Sequence, residues 1–341
     1  MVGPATARAR ASIADVAAVA GVSTQTVSRV STGSPAVRPA TRERVLAAMA
    51  ELGYTPNHAA RALRSGTFGT LGLVAHQLAR TGESRTTAGV VDAARREGYT
   101  LALVDLASPT GPEVESAVLR LEHQSIDGLV IIRAETATPE TLRLPPRMPV
   151  VVSDSRFIGH HPTVGADQRG GAAAAVDHLL ALGHRTVHHV AGPADSTPSI
   201  LREDGWGRAL RAAGRPLPPV LRGDWTPVSG YALGQRLAAD PDVTAISCAN
   251  DEMATGVLRA LHEAGRRVPE DVSVTGFDDI PLAAHLHPPL TTVLQDFTAI
   301  GHALVEMLLR QVRSGTLLSD ERVVVAAPLV VRNSTGPAPA R

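Results

Sequence analysis

The chain has 341 residues, 44% of them hydrophobic, and 33 basic side chains balance 33 acidic ones. That length exceeds one small domain and asks for two or three folded units with sizeable cores. No apolar run nears the roughly 18 to 20 residues of a membrane span, and the opening "MVGPATARARAS" lacks the apolar centre of a secretion signal, so a cytoplasmic protein without a membrane partner is expected. Cys248 is the single cysteine, which excludes an intrachain disulfide framework and a cysteine metal cluster.

Charge is unevenly placed. Every basic residue is arginine, and residues 1 to 64 hold eight arginines against Asp15, Glu43 and Glu51. A basic head on an acidic body suits an anionic partner for the head. On charge alone, an arginine-rich tail beside a neutral domain fits as well.

Ile13, Val16, Ala17 and Ala20 recur at helical spacing, so a helix is predicted from Ser12 to Ala20, capped by Ser12 and stopped by Gly21. Ser23 caps a second helix from Thr24 to Val30, with Val27 and Val30 facing inward beside Val22. Two short helices joined by a tight glycine turn form a helix-turn-helix, whose second helix enters the DNA major groove. This explains why Ser23, Thr24, Gln25, Thr26, Ser28 and Arg29 crowd together. Base edges and phosphates present the matching donors and acceptors. Gln25 suits adenine and Arg29 guanine in two-point contacts; Thr24 stands at the exposed start, and Thr26 and Ser28 suit phosphate. A third helix is predicted from Pro39 to Leu52, with Val45, Leu46, Met49 and Leu52 on its apolar face and Gly53 as stop. Residues 57 to 63 could form one more helix, but one with little apolar surface, which orders only when held.

"DVAAVAGVSTQTVSRV", "SPAVRPATRERVLAAMAELGYTPN" and "AARALRSGTFGTLGLV" resemble the lactose repressor (LacI/GalR) type of bacterial transcription regulator, a likeness that runs to about residue 333. One departure is "STGSP", with Thr32 before Gly33 where the family has Asn-Gly. The resemblance implies that Asn57 to Leu63 form a hinge helix that folds on operator DNA. Asn57 and Arg61 then join the DNA-contacting set, and Leu63 wedges into a base step from the minor groove. Without the resemblance Leu63 reads as a small core leucine.

Farther on, β-rich runs alternate with helical ones: "LGLVAH", 86–97; "TLALVDL", 113–124; "GLVII", 139–144; "PVVVSD"; then "TVHHVAG", "AISCAN" and "SVTGFDD", each separated by a helix. The alternation implies parallel sheets covered on both faces, and the length implies two. The expected fold is an all-α helix-turn-helix headpiece plus an α/β, periplasmic-binding-protein-like core of two doubly wound subdomains. The expected boundaries are 1–56 for the DNA-binding domain, 57–66 for the hinge, 67–165 with 296–322 for one subdomain, 166–295 with 323–333 for the other, and 334–341 as a disordered tail.

Ligands of open parallel sheets sit beyond the carboxyl ends of the strands. Those ends deliver Arg133, Asp154, Asp195, Ser196, Asn250, Asp251, Asp278 and Asp279. Singly, each reads as a solvated loop residue; together they suit a hydroxyl-rich small molecule. Arg202 is expected at the start of a helix beside this cleft, and Trp225 in a loop beside Asp224, where a large aromatic has little structural reason to stand, as a stacking face for a sugar ring. Trp206, on a helix, reads as core.

The resemblance implies that Asp154, Ser196, Arg202, Trp225, Asn250, Asp278 and Gln295 surround an effector, with His76 and Phe297 completing the set. Arg133 and Pro198 stand where the family pattern offers an amide and a hydroxyl, which leaves a galactoside and a β-linked, plant-derived disaccharide both open. The expected partners are near-palindromic operator DNA, a small carbohydrate and a second copy in a homodimer. No cofactor and no metal are expected. The expected function is a repressor whose operator affinity falls when sugar binds. A corepressor-activated regulator and a sugar-binding transport protein are the alternatives. Enzyme chemistry is not expected: Cys248 ends an apolar strand, and the 13 histidines lack metal-ligand spacing.

Overall fold

A computed structural model describes residues 11–31, 34–55, 67–106, 111–132, 144–145, 147–153 and 160–340. The chain divides into two compact units, Met1–Phe68 and Gly69–Arg341.

The first unit is helical. Helix α1 spans Ile13–Ala20, and Ser12 and Asp15 cap it reciprocally: the Ser12 Oγ accepts from the Asp15 amide while the Asp15 carboxylate accepts from the Ser12 amide. Gly21 closes it at φ 62°, a left-handed conformation that glycine adopts without strain. Helix α2 spans Thr24–Ser31 and α3 spans Pro39–Glu51. Val16, Ala17, Val27, Val30, Val45 and Met49 share one buried cluster. Leu46, expected on the apolar face of α3, is 51% exposed, and Ala48 is buried instead. The reason is angular: Val45, Ala48, Met49 and Leu52 recur at three- and four-residue spacing, while Leu46 stands about 100° around the helix.

The second unit holds the alternating elements. In chain order they are β1 (Thr70–His76), α4 (Thr81–Arg96), β2 (Thr100–Leu106), α5 (Gly111–Glu122), β3 (Gly128–Ile132), β4 (Val150–Ser153), β5 (Thr163–Ala166) and α6 (Gln168–Ala181). There follow β6 (His188–Ala191), α7 (Thr197–Ala212), β7 (Leu221–Arg222), α8 (Pro227–Ala238), β8 (Ala245–Cys248), α9 (Asp251–Glu263) and β9 (Ser273–Thr275). The chain ends with β10 (Thr292–Val293), α10 (Phe297–Ser314), β11 (Arg322–Val325) and β12 (Leu329–Val330). One sheet has the order β11-β5-β4-β3-β1-β2, the other β7-β6-β8-β9, and every pairing in both is parallel. Strands β3 and β4 are buried throughout, as parallel strands covered on both faces require. Two lobes result; three buried clusters lie within one lobe or the other, and a fourth runs from the first lobe to Ala172, Ala175, Phe277, Val293 and Ala327.

Three crossovers join the lobes, at 166–168, 293–297 and 325–329. They are laced together: Asp167 N donates to Val325 O and Leu294 N to Pro328 O, both at 2.9 Å, and β10 pairs antiparallel with β12.

Several expectations change. Helix α4 starts five residues before position 86, because its first turn turns Gly82 and Glu83 inward rather than an apolar stripe. The expected helix at 139–144 lies almost wholly outside the described residues, as does the hinge at 57–66. Arg322–Val325 pairs with Thr163–Ala166, so 323–325 stay in the first lobe and the final crossing comes after Val325. Residues 334–340, expected as a disordered tail, are strapped to the second lobe. Ser334 is fully buried; its Oγ donates to Val274 O at 2.7 Å and accepts from Thr291 N at 2.8 Å, and Ala338 N donates to Leu182 O. The physical reason is a free edge: β9 ends its sheet, and the tail satisfies its backbone groups.

Candidate functional site

On the helical unit, Thr24, Gln25 and Arg29 are exposed along α2, while Val27 and Val30 fasten its other face to the core. Ser23 works as the cap: its Oγ accepts from Thr26 N at 3.2 Å and lies 3.0 Å from Thr26 Oγ1. Ser23 and Thr26 therefore share their hydroxyls with the helix start, and Thr26 and Ser28 are half-buried. Asn57, Arg61 and Leu63 lie outside the described residues.

Between the lobes of the second unit lies a cleft. The first turn of α4 supplies Arg80, Thr81, Gly82 and Glu83; the facing lobe supplies Arg202, Trp225, Asn250, Glu252 and Asp278. The walls touch: Thr81 Oγ1 donates to Glu252 Oε1 at 2.6 Å, and Arg85 Nη1 donates to Asp279 O at 3.4 Å.

Arg202 is 1% exposed, the most deeply placed charge in the cleft. It stands in the second turn of α7 rather than at its start. Its Nε donates to Gln168 Oε1 at 2.7 Å, its Nη1 donates to Ala249 O, and its Nη2 lies 3.2 Å from Asp278 Oδ1. The guanidinium also stacks 3.8 Å from the Phe277 ring centroid and 5.5 Å from that of Trp225. A buried guanidinium persists only with such a set of acceptors and a countercharge.

Trp225 corrects an expectation. It does precede α8 in a loop, but it is only 4% exposed. Its ring lies against Gly192, where a Cβ would come within 2.4 Å of the indole, so the glycine makes room for it. Its backbone has φ 75°, and its Nε1 has no hydrogen-bond partner among the described residues. A buried indole N–H without an acceptor costs about 1 to 3 kcal/mol unless a ligand supplies one. Asn250 caps α9 by accepting from Met253 N at 2.9 Å and donates its Nδ2 to Trp225 O at 3.0 Å. Asp278 adopts φ 112° and accepts from Gln295 Nε2 at 2.5 Å.

Arg202, Trp225, Asn250 and Asp278 thus meet on one wall. His76, Ser196, Gln295 and Phe297 do not line it. His76 Nδ1 is bonded to Leu106 O at 3.0 Å, Ser196 is fully buried before α7, Gln295 stands behind Asp278, and Phe297 lies under Arg85. Arg133 and Asp154 lie outside the described residues. Asp251, expected at the rim, is instead fully buried, accepting from Ile280 N at 2.9 Å and from Thr292 Oγ1 at 2.5 Å. Burial, with Asp278 nearby, pushes its carboxyl well above the usual range. Asp195 is exposed. Sequence reading missed Arg80, Thr81, Glu83, Glu252 and Gln168. Glu252 follows two flagged residues and was within reach; the α4 turn carries no apolar period to announce it. Cys248 is buried, and burial pushes its thiol up, out of the nucleophilic range. Among the described residues no His, Cys, Asp and Glu cluster suits a metal, and no helix is long and apolar enough to cross a membrane.

A helix-turn-helix carrying exposed Gln and Arg, together with a two-lobed core whose cleft is lined by charge, amide and indole, defines a ligand-responsive DNA-binding transcription regulator. Residues 12–57 match the bacterial regulatory proteins of the lacI family, and 176–335 match the periplasmic binding protein-like domain. The chain is 35% identical over 339 residues to the HTH-type transcriptional regulator CelR of Thermobifida fusca, covering 96% of this chain and 99% of that one. The solved lac repressor dimer bound to operator and the anti-inducer ONPF matches with TM-score 0.85 at 31% identity, covering 96% of this chain and all of that one. A CelR–cellobiose complex matches with TM-score 0.71 at 34% identity, over 95% of this chain and all of that one. The chain belongs to the lacI family of bacterial regulatory proteins.

Proposed function

We propose that the protein is a repressor that binds near-palindromic operator DNA as a homodimer and loosens its hold when a small carbohydrate enters the cleft. The carrying observation is Trp225: a buried indole whose N–H lacks a partner among the described residues, on a wall shared with Arg202, Asn250 and Asp278. Guanidinium, carboxylate and amide satisfy sugar hydroxyls in both directions, and the indole offers a flat apolar face with one donor. A β-linked disaccharide of the cellobiose type is the first ligand to try, since a CelR–cellobiose complex is among the similar structures.

In this reading Gln25 and Arg29 read base edges, Thr24 at the exposed helix start reaches a base, Thr26 and Ser28 meet phosphate, and Asn57, Arg61 and Leu63 act at the operator centre. Two copies related by a twofold axis need a matching operator symmetry. Sugar that favours one lobe arrangement lowers operator affinity by the coupling energy, typically about 1 to 3 kcal/mol. The protein acts in the cytoplasm, at the nucleoid when bound, as a regulator and not as an enzyme.

The experiment is a thermal-shift screen of the full chain against cellobiose, lactose, galactosides, ribose and purines, followed by operator binding with each hit. A sugar that raises the melting temperature and weakens operator binding is expected. A purine hit that tightens operator binding would reverse the sign, and hits that leave operator binding unchanged would refute the reading.

A further inference from the structure

Beneath the cleft, four buried side chains close into a ring. Gln168 Oε1 accepts from Arg202 Nε at 2.7 Å, and Gln168 Nε2 donates to Gln295 Oε1 at 3.0 Å. Gln295 Nε2 donates to Asp278 Oδ1 at 2.5 Å, and that oxygen lies 3.2 Å from Arg202 Nη2. Gln168, Arg202 and Gln295 are each 1% exposed and Asp278 is 8% exposed.

The two halves of the ring stand in different places. Arg202 and Asp278 line the cleft; Gln168 and Gln295 do not. Gln168 opens α6 just after the first crossover leaves β5, and Gln295 lies in the second crossover, between β10 and α10. Both crossovers are bonded to the third through Asp167 N to Val325 O and Leu294 N to Pro328 O.

We propose that Gln168 is the positioning residue that couples the cleft to the crossovers, a role that rests on the reading of this protein as a sugar-responsive repressor. The ring needs an amide at this point. Arg202 has only donors to offer, so its neighbour must accept, and Gln295, whose own amide nitrogen is committed to Asp278, leaves only its oxygen, so its neighbour must donate. A carboxylate at 168 answers the first need and not the second; an aliphatic side chain answers neither, and a half-satisfied buried network is less stable than a complete one. A ligand that engages Arg202 or Asp278 therefore acts on two crossovers through Gln168 and Gln295, and the lobes respond together.

The test compares the full-length wild type, Gln168→Glu and Gln168→Leu in two arms. The first is amide hydrogen exchange without ligand. In Gln168→Leu the amides of Asp278, Leu294 and Gln295 exchange about tenfold faster or more, while the strands β6 and β8 keep their protection. Gln168→Glu holds Arg202 and frees only the Gln295 side, so its effect is confined to Leu294 and Gln295. The second arm measures operator Kd with and without saturating cellobiose. Gln168→Leu keeps its ligand-free operator Kd within about twofold of wild type, and the ratio of the two Kd values shrinks at least about threefold toward one. Wild-type exchange at these amides in Gln168→Leu, or an unchanged Kd ratio in a wild type that responds to cellobiose, overturns the proposal. If the wild type ignores cellobiose, that ligand assignment fails by itself, and the exchange arm still decides the role of Gln168.

Discussion

Acid should destabilise the second lobe through His189, and the size of the effect can be worked out from its surroundings. His189 is 2% exposed, stacked on Trp206 with ring centroids 5.4 Å apart. Its Nδ1 faces the carbonyl of Ser247 at 2.9 Å and must be the protonated nitrogen; its Nε2 has no partner among the described residues. A second proton would put a charge in the core, and burial, aided by the charges of Arg222 and Arg202, holds the pKa down at about 4. In the unfolded chain it returns to roughly 6.5. Between those values the unfolded state binds the proton and the folded state does not, so stability is full above pH ~6.5 and falls as pH drops toward 4. Two and a half units at 1.36 kcal/mol each make about 3 kcal/mol. His178, His184 and His188, in the same lobe, are lowered by burial as well and steepen the same slope. Urea unfolding followed by tryptophan emission, from pH 7 to 4.5, measures it, since Trp206 and Trp225 are the only tryptophans and both sit in this lobe. His189→Asn keeps a donor for Ser247 and cannot titrate. It should start less stable, because it leaves a gap beside Trp206, but lose less with acid by about 2 to 3 kcal/mol. Parallel slopes in the two proteins would refute the assignment.

Three further outcomes follow from the geometry. Arg29→Ala should weaken operator binding by about 1 to 3 kcal/mol and relax the preference at a single base pair, read by binding to a set of operator point variants. Ser334→Ala removes one side-chain donor and one acceptor in a fully buried place and should lower the stability of the second lobe by about 1 to 3 kcal/mol in urea titration; no change would mean that the tail is loose. Trp225→Phe removes the N–H together with half of a buried indole, so sugar affinity should drop about tenfold by calorimetry, and folding stability should fall by about 1 to 3 kcal/mol in urea titration because of the gap left beside Gly192.

The helical unit was largely legible in the sequence because its signals are local. Ser12 with Asp15, Gly21, and valines at three- and four-residue spacing determine where α1 and α2 begin, end and face. The strands β2 and β3 were legible to the residue: β3 is buried throughout and reads as a continuous apolar run, while β2, at the sheet edge and buried only at Leu106, still reads as a β-rich run between turns. What escaped depends on distant partners. β10, β11 and β12 are four residues long or shorter, and each exists because another segment offers it an edge. The tail looked disordered by composition, yet the open edge of β9 gives its backbone a place to bond. In the cleft, the strand-end rule located Asn250 and Asp278 but misjudged Asp251, whose carboxylate bonds Ile280 and Thr292. Trp225 was singled out for the wrong reason: Gly192 lets its ring sink inward, which no loop composition reveals. Gln168 carried no signal at all, since its meaning comes from Arg202 and Gln295, which are 34 and 127 residues away.

The most direct test is to close the thermodynamic cycle between the two ligands of the full-length protein. Operator Kd is measured by fluorescence anisotropy on a twofold-symmetric duplex and on a random duplex, with and without saturating sugar, and sugar Kd is measured with and without operator. The account predicts tighter binding to the symmetric duplex, a loss of about 5- to 150-fold on adding sugar, and the same factor in sugar affinity on adding operator. Equal binding to both duplexes, or a sugar that occupies the cleft and leaves operator Kd where it was, would contradict it.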